Sequence, residues 1–97
     1  MDININVEGP VAHVALTGSL NAATAGELEA AMAPVLGGAK EIHFDFAGLE
    51  YLSSAGLRVL MMTYKRLGGA GVRIDNACDD IREVFDITGF SALFDIR

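Results

Sequence analysis

Thiols are all but missing from this chain. Cys78 is the only cysteine, so no internal disulfide can form and no thiolate metal site can be built from cysteine alone. Cations are scarce too. Seven Lys and Arg stand against 13 Asp and Glu, a formal charge of −6 at pH 7. That balance argues against nucleic-acid backbones and anionic membrane surfaces, both of which need clustered positive charge. No run approaches the roughly 20 apolar residues of a membrane span. The opening Met1-Asp2-Ile3-Asn4 carries neither the basic nor the apolar stretch of a secretion signal. GxxxxGKS/T, GxGxxG, HExxH and CxxC are all lacking. With only two prolines and 52% hydrophobic against 21% charged residues, the chain has the makeup of a folded protein and not of a disordered one. Its 97 residues suit one core without staples. The expectation is one acidic, cytoplasmic domain spanning 1–97, with no cofactor.

Periodicity supplies the layout. Ile3, Ile5 and Val7 alternate with polar residues between Asp2 and Val7, a half-buried strand. Glu8-Gly9-Pro10 breaks the pattern, and Val11 to Thr17 reads as a second strand closing an antiparallel hairpin. Thr24 to Glu27 fits a capping box before a helix with Leu28, Met32, Val35 and Leu36 on one side. Gly37-Gly38 ends that helix, and Pro34 in its last turn is expected to distort or shorten it. Ile42, Phe44 and Phe46 alternate with Glu41, His43 and Asp45 in a third strand. A loop over Ala47 to Leu52 then leads to a helix from Ser53 or Ser54 with the stripe Leu57, Leu60, Met61, Tyr64 and Leu67. Val72 to Asp75 is a fourth strand. Asp79 is expected to cap a third helix bearing Ile81, Val84 and Phe85, stopped by Gly89. Leu93 to Ile96 is a last short strand or helical turn. Strands separated by single helices cross over right-handedly into parallel neighbours. The order predicts an α/β fold, a mixed sheet of four to five strands with an N-terminal hairpin and helices packed against it.

Few residues offer chemistry. If their strands pair, His13 and His43 come close, but two imidazoles with no cysteine and no placed carboxylate make no metal site, and a polar sheet face accounts for both. Cys78 is expected to be a small buried or semi-buried residue. The informative stretch is Ser53-Ser54-Ala55-Gly56 at a helix start. Serine is a good N-cap, and Ala55-Gly56 permits close packing, which alone could account for it. As a nucleophile Ser54 is poorly equipped: Leu52 stands where a GxSxG elbow has its first glycine, and no histidine follows in the chain. No catalytic residue is assigned. A third reading makes the hydroxyl a phosphate acceptor, because free amides and the positive helix pole favour a phosphoryl group there.

Several segments together resemble the STAS domain of the anti-anti-sigma (anti-sigma factor antagonist) family. They are Gly18-Ser19-Leu20-Asn21-Ala22-Ala23-Thr24, Phe44-Asp45-Phe46, Tyr51-Leu52-Ser53-Ser54-Ala55-Gly56-Leu57-Arg58-Val59-Leu60, Val84-Phe85-Asp86-Ile87-Thr88-Gly89-Phe90 and Leu93-Phe94-Asp95-Ile96. The resemblance implies a STAS fold and a partner-switching regulator, not an enzyme. The unphosphorylated form would bind a serine kinase with a GHKL-type ATP-binding fold, itself often an anti-sigma factor. That kinase would phosphorylate the serine at the start of the second helix and let go, and a metal-dependent phosphatase would reset it. On the motif the acceptor falls on Ser54, with Ser53 second. Asn21, Ser53, Ser54, Ala55, Gly56 and Arg58 would form the partner surface. Where the family commonly has Asp, this chain has Asn21 and Ser53, which keep hydrogen bonding and remove charge. The alternative is a constitutive STAS subunit that binds an ABC-transporter ATPase.

Overall fold

The computed structural model covers Met1–Arg97. The hairpin forms as the alternation requires: β1 (Asp2–Glu8) pairs antiparallel with β2 (Val11–Leu20), Ile5 opposite Val14. Then follow α1 (Ala25–Leu36), β3 (Glu41–Leu52), α2 (Ser54–Arg66), β4 (Val72–Asp75), α3 (Asp79–Thr88), a 3-10 turn over Phe90–Ala92 and β5 (Asp95–Ile96). The five strands lie side by side in sequence order, and β2 to β5 run parallel. Right-handed crossovers to the adjacent strand leave all three helices on one face.

That face holds the core. Ala12, Val14 and Leu16 of β2, Ile42, Phe44 and Phe46 of β3, and Val72 and Ile74 of β4 are buried beneath Leu28, Met32, Leu36, Val59, Leu60, Ile81 and Phe85. Aromatic rings tie the sheet to the C-terminal segment. Phe85 stacks on Phe46 at 6.4 Å and meets Phe94 edge-on at 5.9 Å, while Tyr64 and Phe90 reach Phe94 at 5.7 and 5.6 Å. The opposite face stays open and polar. Asn4, Asn6, His13, His43, Asp45, Arg73 and Asp75 line a shallow concavity of about 530 Å³ there. His13 and His43 are register partners with ring centroids 5.3 Å apart. Each imidazole faces a glutamate, Glu8 at 3.9 Å and Glu41 at 3.5 Å.

Several local expectations are corrected. Ala47 to Leu52 is not a loop but the continuation of β3, and β2 runs on to Leu20. Two register shifts explain this: between Ala15 and Thr17 one residue faces two, and between Gly18 and Ser19 β3 gains another. These bulges replace the period of two, so that Phe46, Leu49 and Leu52 all turn inward. The capping box does not form. Thr24 Oγ1 accepts from the Asn21 amide at 2.9 Å and donates to the Ser19 carbonyl at 2.7 Å instead. Pro34 does not shorten α1, which continues through it to Leu36. Its ring faces solvent, as does Ala30, whose carbonyl loses the i+4 donor and can take water instead.

The inward side of α2 is Gly56, Val59, Leu60 and Thr63, rotated from the expected stripe. Leu57, Met61, Tyr64 and Leu67 are only half-buried. Thr63 escaped a hydropathy pattern because it hides its polarity, donating to the Val59 carbonyl at 3.0 Å. Cys78, expected to be buried or semi-buried, is exposed. It is the N-cap residue of α3, and Asp79 is the first helical residue, not the cap. Gly71 is required by geometry: its φ is +83° and a Cβ would lie 2.6 Å from the Lys40 carbonyl oxygen.

No helix is long and apolar enough to cross a membrane. Truncating Phe85, which is 0% exposed, should cost about 3–5 kcal/mol. Urea unfolding of Phe85→Ala checks this, as a lowered midpoint at an unchanged slope.

Candidate docking and phosphorylation site

The candidate site lies where the carboxyl ends of β2 and β3 meet the start of α2. Leu20 and Leu52 are paired at the last rung of the two strands. Directly beyond it the Ser53 amide donates to the Leu20 carbonyl at 2.9 Å, so the chain leaves the sheet and enters the helix without slack. Ser53 is extended (φ −96°, ψ 174°), and its Oγ accepts a long 3.5 Å hydrogen bond from the Gly56 amide. This is the N-cap arrangement serine favours. Ser54 is the first helical residue and is exposed. The two serines therefore divide the work. One is half-buried and holds the helix start; the other stands outside the cap and presents its hydroxyl to solvent.

Gly56 lets the helix sit that low. It is buried, and a Cβ there would come within 2.6 Å of Leu20 Cγ and 2.7 Å of Leu52 Cδ1. Of the residues expected on the partner surface, Gly56 alone lies beneath it. Ala55 is half-buried, and Arg58, one turn beyond Ser54, is exposed. Asn21 follows Leu20 and flanks the same mouth. Its Oδ1 accepts from the Ala23 and Thr24 amides at 2.9 and 3.2 Å. Both residues that stand in place of family carboxylates thus accept hydrogen bonds from backbone amides, a role that needs an oxygen and no charge.

The electrostatic result is specific. The first turn of α2 contains no acidic residue, so nothing in the helix offsets the positive pole of its dipole beside Ser54. Tyr51 is a surface residue of this site that the expected partner surface did not include. At 55% exposed it is a large aromatic next to the mouth, and tyrosine is among the residues that most often anchor interfaces. Tyr51 lies beside Glu50 on the irregular end of β3, both exposed between the buried Leu49 and Leu52. The histidine pair belongs to the other face of the sheet, away from this site. No group of three or more His, Cys, Asp or Glu residues is arranged to hold a metal.

The chain thus presents a five-stranded sheet with its helices on one face and a serine pair at the mouth of the second helix. A family model described as Mlab, STAS domain matches residues 3–95. BtrV of Bordetella bronchiseptica, named as a candidate anti-sigma factor antagonist, is 36% identical over 85 residues, covering 84% of this chain and 72% of its own. Among solved structures, an anti-sigma factor antagonist from Mycobacterium paratuberculosis aligns with a TM-score of 0.87 at 26% identity, covering 98% of this chain and 83% of that one. The Bacillus cell fate determinant SpoIIAA in its phosphorylated form has the same fold, with a TM-score of 0.77 at 19% identity over 99% of this chain and 91% of that one. The chain belongs to the STAS-domain family, in the company of anti-sigma factor antagonists.

Gly56→Ala should destabilise the domain by about 1–3 kcal/mol through overpacking against Leu20 and Leu52. A thermal melt checks this, and proteolysis at the β3–α2 junction should become faster in the same variant.

Proposed function

We propose that the chain is an anti-sigma factor antagonist in a partner-switching pathway. Its unphosphorylated form binds a GHKL-type serine kinase that serves as the anti-sigma factor, and phosphorylation of Ser54 releases it. A metal-dependent serine phosphatase restores the binding form. The observation that carries the reading is the division of labour between the serines: Ser53 caps, while Ser54 is exposed at the first helical position. The relationship to BtrV supports it.

The physics of such a switch follows from the position. A phosphoryl group at the helix mouth interacts favourably with the dipole by about 0.3–1 kcal/mol, so the modified domain stays folded. It also adds about −1.5 to −2 charges at pH 7. Under a docked partner that charge must be desolvated or repelled, and each roughly 1.4 kcal/mol of that cost lowers affinity tenfold. Fold and affinity are thereby uncoupled at one atom.

Incubation with the cognate kinase and ATP should add one phosphate, which intact-mass spectrometry would read. Ser54→Ala should remove it; equal phosphorylation of that variant would move the acceptor elsewhere, first to Ser53. Ser54→Asp should melt like the wild type yet lose kinase binding. A stable, stoichiometric complex with an ABC-transporter ATPase that ATP does not dissociate would instead favour a constitutive subunit.

A further inference from the structure

The outward side of α2 is unusual for this chain. Three of the seven basic residues, Arg58, Lys65 and Arg66, lie on this one helix, which has no acidic residue at all. Thirteen carboxylates are available elsewhere, yet none of the four ion pairs in the structure uses a residue of α2. The helix pole accounts for Lys65 and Arg66 in the last turn, but it offers nothing to hold Arg58 near the start. At 100° per residue, Ser54, Arg58, Met61 and Lys65 fall on one line opposite the buried Gly56, Val59, Leu60 and Thr63. A methionine therefore sits in the middle of the most solvent-facing line of a charged helix. Met61 is half-exposed, and with Met62, Arg58, Lys65 and Arg66 it lines a groove of about 350 Å³. Flexible thioethers are frequent at surfaces that receive partners.

We infer that this stripe is the second half of the docking surface that begins at Ser54, and that it receives an acidic patch of the partner kinase, carboxylates set around an apolar side chain that seats on Met61 and Met62. This rests on the reading of the preceding subsection and adds the chemistry of the partner. From Ser54 to Lys65 the stripe runs roughly 16 Å. Solvent screening beyond about 8–10 Å confines the attraction to the stripe, so the net charge of −6 does not oppose it. An anionic bilayer is a poorer occupant, since recognition of such surfaces takes clusters of about 4–8 cations. A second copy docked through the same stripe would set Arg58, Lys65 and Arg66 against their own like charges, with no acidic residue on α2 to meet them, and that local repulsion argues against it.

The test measures binding of the full chain to each purified GHKL-type serine kinase of its source organism, at low and high salt. The variants are Lys65→Glu/Arg66→Glu, Met61→Ser and Ser54→Asp. Lys65 and Arg66 are exposed, so their reversal should leave the domain folded, with the melting temperature lowered only by the two glutamates at the negative helix pole. For the kinase that binds the wild type, reversal should weaken affinity about tenfold or more and flatten its salt dependence. Met61→Ser should weaken binding at both salt concentrations. Unchanged affinity on charge reversal overturns the inference. So does an effect confined to self-association in sedimentation, or to binding of phosphatidylglycerol vesicles. If Ser54→Asp releases the kinase while charge reversal does not, the stripe falls and the proposed function stands. If no kinase binds the wild-type chain, both fall.

Discussion

One backbone hydrogen bond, from the Ser53 amide to the Leu20 carbonyl at 2.9 Å, sets where everything at the site stands. It closes the last rung between β2 and β3 and begins α2 in the same step. Because Gly56 has no side chain, the helix can settle against Leu20 and Leu52 immediately afterwards. The position of Ser54 is then determined by sheet geometry and not by a mobile loop. A modification site on a rigid helix start can be recognised by an enzyme and read by a partner without the domain having to rearrange.

The layers of the fold keep the candidate docking surface apart from the polar sheet face. Helices cover one side of the sheet and carry the candidate docking surface, while the other side holds the polar row with His13 and His43. The cap and the acceptor are likewise separate residues. Ser53 and Asn21 supply oxygens to backbone amides, and neither brings a charge to the mouth. With no acidic residue in the first turn of α2, a phosphoryl group there is the first negative charge the helix pole meets from within its own helix.

Much of this was legible from spacing alone. The hairpin, the order of elements and the start of α2 followed from periods of 2.0 and 3.6 and from serine at a helix start. What escaped were features that depend on partners across the sheet. The extension of β3 over Ala47 to Leu52 needs bulges that shift its register against β2, and a chain read by itself has no register. The rotated stripe of α2 was hidden because a glycine and a threonine, Gly56 and Thr63, occupy inward positions where hydropathy favours Leu57 and Met61. Asn21 stands out in the sequence for the charge it lacks, whereas its structural task is the turn, with Oδ1 accepting from the Ala23 and Thr24 amides, that takes the place of the capping box.

Sequential strand order has a consequence for how the molecule comes into being. Each strand hydrogen-bonds to the one made just before it, so no segment has to wait for a distant partner or be threaded between two others. Assembly can follow synthesis from the N-terminal hairpin outward. Phe94 follows α3 in the chain, so its ring can seat against Phe85 only after that helix has been made.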